Sequence, residues 1–129
     1  MLKNLVLAWA ILLAGIGAAA AQQSGFKRTV LQKVDVPGNV YESVFVMAES
    51  PADGLVGRHS HPGTEQGTVI EGEITLMVEG QPDKIYKPGD SWLIPAGILH
   101  DAKAGAMGSK AIVVYIVEKG KPLAIPAPK

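Results

Sequence analysis

Residues 57–73 read GRHSHPGTEQGTVIEGE and contain two of the three histidines in the chain. His59 and His61 are separated by one serine, and Glu65 follows four residues after the second histidine. In a β-strand, residues i and i+2 project from the same face and lie about 7 Å apart. The imidazoles of His59 and His61 can therefore approach a single ion. Glu65 can add a carboxylate to that ion after the turn-forming sequence PGT.

The third histidine, His100, ends a second segment, residues 89–100, which reads GDSWLIPAGILH. One reading treats the histidines as unrelated, two exposed on a strand and one packed in the core, but it leaves their spacing unexplained. We interpret them instead as ligands of one divalent transition-metal ion, because such ions bind imidazole and carboxylate donors. This donor set does not distinguish iron, manganese, nickel, cobalt and zinc. The predicted metal ligands are His59, His61, Glu65 and His100.

Most of the remaining chain consists of short apolar-polar segments separated by glycine and proline. Alternation of this kind is typical of half-buried β-strands, and no segment shows a convincing helical period. The pattern predicts strands at 28–34, 41–47, 67–70, 73–78, 83–86, 91–94 and 111–117. Many short strands with turns between them indicate an all-β sandwich or barrel.

The N-terminal residues have a different composition from the rest. One lysine precedes an uncharged apolar run that ends in alanines, which is the layout of a secretory signal peptide. The alternative is an uncleaved membrane anchor, which needs about 20 apolar residues. We expect a signal peptide at 1–21, one domain at 22–118 and a proline-rich extended tail at 119–129. The mature protein is then periplasmic or secreted, with no stable membrane span.

Composition argues against some partners. The chain has 12 basic and 12 acidic residues, a formal net charge of zero and no basic run. Nucleic acid is therefore not expected as a partner. The chain also has no cysteine, so an exported form must fold without a disulfide.

Two spacings resemble the motifs of a known family. Residues 57–73 contain His-x-His, three residues, Glu, six residues and Gly; residues 89–100 contain Gly, five residues, Pro-x-Gly, two residues and His. In this order they resemble the two motifs of the cupin superfamily, and the HxHPG form resembles small exported single-domain cupins. The family usually has glycine where Asp53 stands and asparagine where Ala104 stands. Neither position is a metal ligand, so these departures concern loop geometry.

The resemblance implies a single cupin barrel, a double-stranded β-helix or jelly roll of six to eight antiparallel strands with the ion in its mouth. It also implies that two copies pair. The long segment RTVLQKVDV, residues 28–36, is an apolar-polar strand before the two motifs, and exposed strand edges need cover. We therefore expect a homodimer that uses this N-terminal strand.

Two classes of function stay open. One is a small metalloenzyme of the dioxygenase, decarboxylase or isomerase type that acts on a small oxygen-rich or phenolic molecule. The other is a non-catalytic exported module that binds a metal ion or a small ligand. Besides Glu65, no inward carboxylate can be assigned as a general acid or base, and so the catalytic residues stay unassigned.

The surroundings of the ion are expected to be apolar, a setting that favours a flat or small chelating ligand. The predicted lining residues are Val69, Leu93, Ile98 and Ala102. Four other side chains in or near the motifs are interpreted as structural. Trp92 and Tyr115 are expected to pack in the interior. Two point away from the ion because each neighbours a ligand in the chain, Arg58 and Asp101.

Overall fold

The computed structural model describes residues 25–129, and the predicted signal peptide at 1–21 lies outside these residues. The regular elements of the described part are all β-strands, which confirms the predicted all-β class. The strands are β1 (Lys27–Asp35), β2 (Tyr41–Ser50), β3 (His59–Ser60), β4 (Gly63–Val78), β5 (Lys84–Tyr86), β6 (Ser91–Ile94), β7 (His100–Glu118) and β8 (Ile125–Pro126). Residues 25–129 also contain no apolar helix of membrane-spanning length.

Two long strands, β4 and β7, form the centre of one curled eight-stranded sheet. They pair antiparallel from Gly63 opposite Val117 to Val78 opposite His100, which is almost the full length of both strands. β2 and then β1 follow on the other edge of β7, whereas β5 and β6 pair with β4. Because the sheet curls, its inward side chains face one another and form the core. The core residues are Val44, Val46, Val69, Ile74, Leu76, Trp92, Ile94, Ala111, Val113, Tyr115 and Val117.

β4 is one bent strand, where the sequence predicted two shorter ones. Its pairing with β7 is irregular between Val69 and Glu71 and again between Gly72 and Ile74. Gly72 has a φ of 72°, a left-handed conformation that glycine adopts without steric cost. A Cβ at this position would overlap the carbonyl oxygen of Gly108 on the neighbouring strand. The glycine therefore bends a single strand, and the predicted break was wrong.

β7 begins at His100, well before the predicted start at residue 111. Residues 101–110 read DAKAGAMGSK and contain alanine and glycine instead of β-branched residues, so local preference does not indicate a strand. They are extended because Ala102 and its neighbours pair with the second half of β4. Hydrogen bonds to a distant segment thus override local preference, and they place His100 inside the sheet.

The C-terminal residues return to the sheet beside the first histidine segment. Ile125 and Pro126 pair with Ser60 and His59 of β3. The side chain of Leu123 packs against the core. The end of the chain therefore lies along the strand that carries two of the predicted metal ligands.

Candidate metal centre

Four buried polar side chains form a cluster inside the curled sheet. His59 begins β3, His61 lies between β3 and β4, Glu65 belongs to β4, and His100 begins β7 opposite His59. The ligand atoms of the four side chains lie within 4.8 Å of one another, and each residue is at most 6% exposed. The structure therefore brings together all four residues that the sequence analysis interpreted as metal ligands.

A backbone carbonyl orients each imidazole. The Nδ1 atom of His59 lies 2.6 Å from the Gly57 oxygen, and that of His61 lies 2.6 Å from the Leu123 oxygen. The Nδ1 atom of His100 lies 2.9 Å from the oxygen of Ile98. A carbonyl oxygen only accepts hydrogen bonds, so each Nδ1 carries the hydrogen. Each neutral ring then presents the lone pair of its Nε2 atom, which is the form that binds a metal ion.

The Nε2 atoms converge with one oxygen of Glu65. The Oε2 atom lies 2.8 Å from Nε2 of His61 and 3.4 Å from Nε2 of His100. The Nε2 atoms of His59 and His61 are 3.2 Å apart, although both bear lone pairs in the neutral rings. The Nε2 atom of His100 is buried and makes no hydrogen bond among the described residues. Buried polar atoms nearly always have a hydrogen-bond partner or another polar partner. A single cation between these atoms would interact with the three Nε2 lone pairs and with the carboxylate oxygen. The site thus fits a divalent metal ion.

The electrostatics of the cluster also suit a metal ion. Burial is the largest cause that lowers the pKa of His59 from 6.5 to about 4, and the neighbouring His100, His61 and Arg28 contribute to the same shift. Burial raises the pKa of Glu65, but the neighbouring imidazoles of His100 and His61 outweigh this effect and hold that pKa well below its usual range. At neutral pH His59 is neutral and Glu65 is ionised. These are the protonation states that coordinate metal ions.

Trp92 fixes the orientation of Glu65. Its indole Nε1 donates to Oε1 at 2.7 Å, which leaves Oε2 for the histidines. Trp92 lies on β6 opposite Gly67 of β4, and a Cβ on Gly67 would overlap the indole ring. From the sequence, Trp92 is predicted to be a packing residue only. The residue is indeed part of the core, but the hydrogen bond depends on the register of β6 against β4, which the sequence does not reveal.

Arg28 and Tyr115 complete one side of the cluster. Arg28 reaches inward from β1, with Nε 3.2 Å from the Tyr115 hydroxyl and Nη2 3.4 Å from Nε2 of His59. The Tyr115 ring lies 4.7 Å from the ring of His61. Burial, together with the charge of Glu65, raises the pKa of Tyr115 to about 12. The sequence analysis did not single out Arg28, because it lies far from both motifs along the chain.

A cavity of about 40 Å³ borders the cluster, and most of its walls are apolar. Of the four predicted lining residues, Ala102 does line it. Leu93 is 60% exposed, because the alternation of β6 points Trp92 and Ile94 inward instead. The prediction of an apolar pocket therefore holds, but three of the four predicted lining residues do not line it, because Val69 belongs to the core, Ile98 packs against the core and Leu93 faces outward.

Arg58 and Asp101 point away from the cluster. Arg58 is exposed and pairs with Glu79 at 3.0 Å. The Oδ1 atom of Asp101 accepts hydrogen bonds from the backbone N–H groups of Gly57 and Ala102, at 2.8 and 2.7 Å. Both residues support the structure around the cluster without contributing ligand atoms to it.

Both departures from the cupin motifs are held by backbone hydrogen bonds. Asp53 has a φ of 56°, a left-handed conformation that aspartate tolerates better than most residues and that glycine adopts freely. Its backbone N–H donates to the Gly105 carbonyl at 3.0 Å. Ala104 is buried, and its N–H donates to the Gly54 carbonyl at 2.9 Å. Asp53 thus has a backbone conformation that is also open to glycine.

Residues 45–122 match the family model of the Cupin domain. No curated relative matches the sequence. Several solved structures share the fold at low sequence identity. An RmlC-like cupin from Shewanella frigidimarina has a TM-score of 0.60 and 22% identity, with 75% of this chain and 80% of that chain covered.

Two structurally similar proteins are named as enzymes. The DMSP lyase DddQ from Ruegeria pomeroyi has a TM-score of 0.65 and 21% identity, with 93% of this chain and 60% of that chain covered. An oxalate oxidase has a TM-score of 0.65 and 20% identity, with 84% of this chain and 58% of that chain covered. At these identities the likeness shows the fold. The family match spans more than half of the chain and includes all four clustered residues, and so the protein belongs to the cupin family.

Proposed function

We propose that this cupin binds one divalent transition-metal ion and uses it in chemistry on a small oxygen-rich molecule. One observation carries the proposal: three Nε2 lone pairs and a carboxylate oxygen converge in a buried space, while carbonyl acceptors hold each Nδ1 hydrogen. The residues that hold the ion are His59, His61, Glu65 and His100.

When bound, the ion supplies Lewis-acid chemistry, or redox chemistry if it is iron. The residues of the chain supply the surroundings. Trp92 holds the carboxylate of Glu65, the apolar cavity wall excludes water, and Tyr115 presents a protonated hydroxyl beside Arg28. Two proteins of similar fold are named as an oxidase and a lyase, and this supports an enzyme over a binding module.

A second candidate is a non-catalytic module that binds a metal ion or a small ligand. One observation favours it: among the described residues that line the cavity, Glu65 is the only carboxylate, and it is committed to the cluster. A reaction that needs a carboxylate general acid or base is thus not supported. Chemistry centred on the ion does not need one, and so we favour the enzyme.

Metal occupancy tests the site directly. Elemental analysis of the protein purified from its native compartment should give about one transition-metal ion per chain, the stoichiometry of a single site. The His100→Ala variant should lose most of that metal, because it removes a ligand whose Nε2 has no other partner. The Arg58→Ala variant is the matched control, since its side chain bonds Glu79 at the surface. Equal occupancy in His100→Ala and wild type would contradict the four-ligand site.

A panel of metal-loaded forms separates the candidate functions. Catecholic, oxo-acid and dicarboxylate compounds are incubated with the iron, manganese, nickel and zinc forms. An oxygenase is active with iron and inactive with zinc, because zinc has no redox chemistry. A Lewis-acid enzyme tolerates several of the ions. Ligand binding that depends on metal, with no turnover in any form, supports the binding module instead.

We also propose that residues 1–21 are a signal peptide and that the mature protein is periplasmic or secreted. The uncharged apolar run and its terminal alanines support this. The intact mass of the exported protein decides it. A mass that begins near Gln22 agrees with cleavage, whereas a membrane-bound protein that retains Met1 supports the anchor.

A homodimer through β1 is a further part of the proposal. Among residues 25–129, β1 pairs only with β2 and forms an edge of the sheet. It exposes apolar side chains, with Val30 at 56% and Val34 at 65%. Such an edge favours association with another chain. Light scattering should give a dimer mass that Val34→Lys reduces and that Ile85→Lys, on the distant β5, does not. A monomer mass for the wild type would contradict the dimer.

A further inference from the structure

We propose that Arg28 is a carboxylate-binding residue, so that the ligand of the metal centre is a small carboxylate. The inference rests on the proposed function, because it assigns the substrate class of the same site. Arg28 projects from β1 over the cavity. Its Cζ atom lies 4.6 Å from the centre of the Phe26 ring and 6.0 Å from the centre of the Tyr115 ring. Because Arg28 lies in the cavity wall beside the cluster, its guanidinium can contact a ligand that enters the cavity.

The guanidinium has no carboxylate partner among the described residues. The other arginine of this part of the chain, Arg58, pairs with Glu79 at 3.0 Å. The acid of the cavity, Glu65, already accepts from Trp92 and faces His61 and His100. A partly buried cation without an anion is unfavourable, and arginine satisfies it best with a carboxylate or phosphate. Arg28 is therefore available to an anion that comes from outside the chain.

The second contact of Arg28 is with Nε2 of His59, an atom that would also bind the metal ion. Because Nδ1 of His59 carries its hydrogen, Nε2 is the acceptor for the Nη2 group of Arg28 at 3.4 Å. The same lone pair cannot serve a metal ion and Arg28 together. With the ion bound, Nη2 loses this acceptor, while Nε keeps the Tyr115 hydroxyl at 3.2 Å. A ligand carboxylate in the cavity restores the lost hydrogen bond and neutralises the guanidinium.

The size of the cavity selects among anions. Its volume of about 40 Å³ holds only a few water-sized groups. Among the described residues that line the cavity, Arg28 is the only Arg or Lys, and the polar side chains apart from His59, Glu65, His100 and Trp92 are Ser50, Ser109 and Tyr115. A phosphate ester needs more donors and more space than this wall provides. A single planar carboxylate on a short carbon chain matches both the volume and the fork of one guanidinium.

Binding of pyruvate and of its neutral analogue pyruvamide tests the inference. The zinc-loaded and metal-free forms of the full chain are titrated with each compound by calorimetry, after a zinc titration of the metal-free protein. Wild type should prefer pyruvate, and Arg28→Gln should weaken pyruvate binding by about 10–100-fold, the loss expected for a hydrogen bond to a charged group. Pyruvamide binding should not change. Arg58→Gln is the matched control and should bind pyruvate as wild type does.

A merely structural role for Arg28 predicts a different result. Loss of structure would weaken zinc binding as well, whereas the proposed role leaves zinc affinity unchanged or raises it, because a cation beside the ion is removed. Arg28→Lys keeps the charge and loses the fork, so it should retain folding, as thermal unfolding will show, and bind pyruvate with intermediate affinity.

The outcomes of the zinc and pyruvate titrations are separable. If zinc binds and Arg28→Gln binds pyruvate as wild type does, the inference is wrong and the metal site stands. If zinc does not bind but pyruvate binding still depends on Arg28, the metal site is wrong and Arg28 stands as a carboxylate-binding residue. Equal affinities of wild type for pyruvate and pyruvamide would also overturn the inference.

Discussion

Replacement of Trp92 by phenylalanine tests how Glu65 is held in place. The indole Nε1 donates to Oε1 of Glu65 at 2.7 Å, and both side chains are buried. Phenylalanine keeps an aromatic ring in the core but has no N–H group. A hydrogen bond to a charged group contributes about 1.5–3 kcal/mol, and about 1.4 kcal/mol corresponds to a tenfold change in affinity. We therefore expect metal affinity to fall by about 10–100-fold, the range measured when hydrogen-bond partners of metal ligands are removed.

The assay is a zinc titration in competition with a chelator at neutral pH. Tyr86→Phe is the control, because the Tyr86 ring lies 5.7 Å from the Trp92 ring and removal of its hydroxyl leaves the indole–Glu65 bond in place. Glu65→Gln and the double variant complete a thermodynamic cycle. The two single losses should not add, because Trp92 acts on the ion through the carboxylate of Glu65. An unchanged zinc affinity in Trp92→Phe, or additive losses, would refute the reasoning.

Three further predictions concern the tail, a glycine and pH. Removal of residues 123–129 should weaken zinc affinity, because it deletes the Leu123 carbonyl that accepts from Nδ1 of His61 at 2.6 Å. A wild-type zinc affinity in the chelator titration would contradict this. Gly67→Ala should lower both the thermal unfolding temperature and zinc affinity, because a Cβ there overlaps the indole ring; wild-type values of both would contradict it. The metal-free protein should lose stability on acidification. The pKa of His59 falls from 6.5 to about 4 on folding, so the unfolded chain takes up this proton first and stability declines between these pH values. The pKa of Glu65 is also lowered on folding, so its contribution is present above 4.5 and is lost as pH falls further. Denaturant titrations at several pH values measure this, and a constant free energy of unfolding down to pH 4 would contradict it.

The sequence alone was sufficient for the all-β class and for the four clustered residues. The inward and outward alternation of a strand is a local property with a period of two residues, and so it can be read along the chain. The spacing of His59, His61 and Glu65 is local as well. His100 lies farther away, and the resemblance of both segments to the cupin motifs linked it to the other three. Composition and local pattern, however, did not predict the first half of β7 or the continuity of β4, because both depend on pairing between the two strands.

The tertiary structure decided what surrounds the cluster. Trp92 reaches Glu65, Leu123 reaches His61, and Arg28 reaches Tyr115 across sequence separations of 27, 62 and 87 residues. The Trp92 and Arg28 contacts depend on which strands are neighbours and on their register, and a shift of one residue would turn these side chains to the opposite face. The Leu123 contact is made by its backbone carbonyl and depends on the path of the C-terminal residues beside β3. The residues that can hold a metal ion are therefore visible in the sequence. The residues that orient them are visible only in the tertiary structure, because the curled sheet brings β1, β6 and the C-terminal residues next to the cluster.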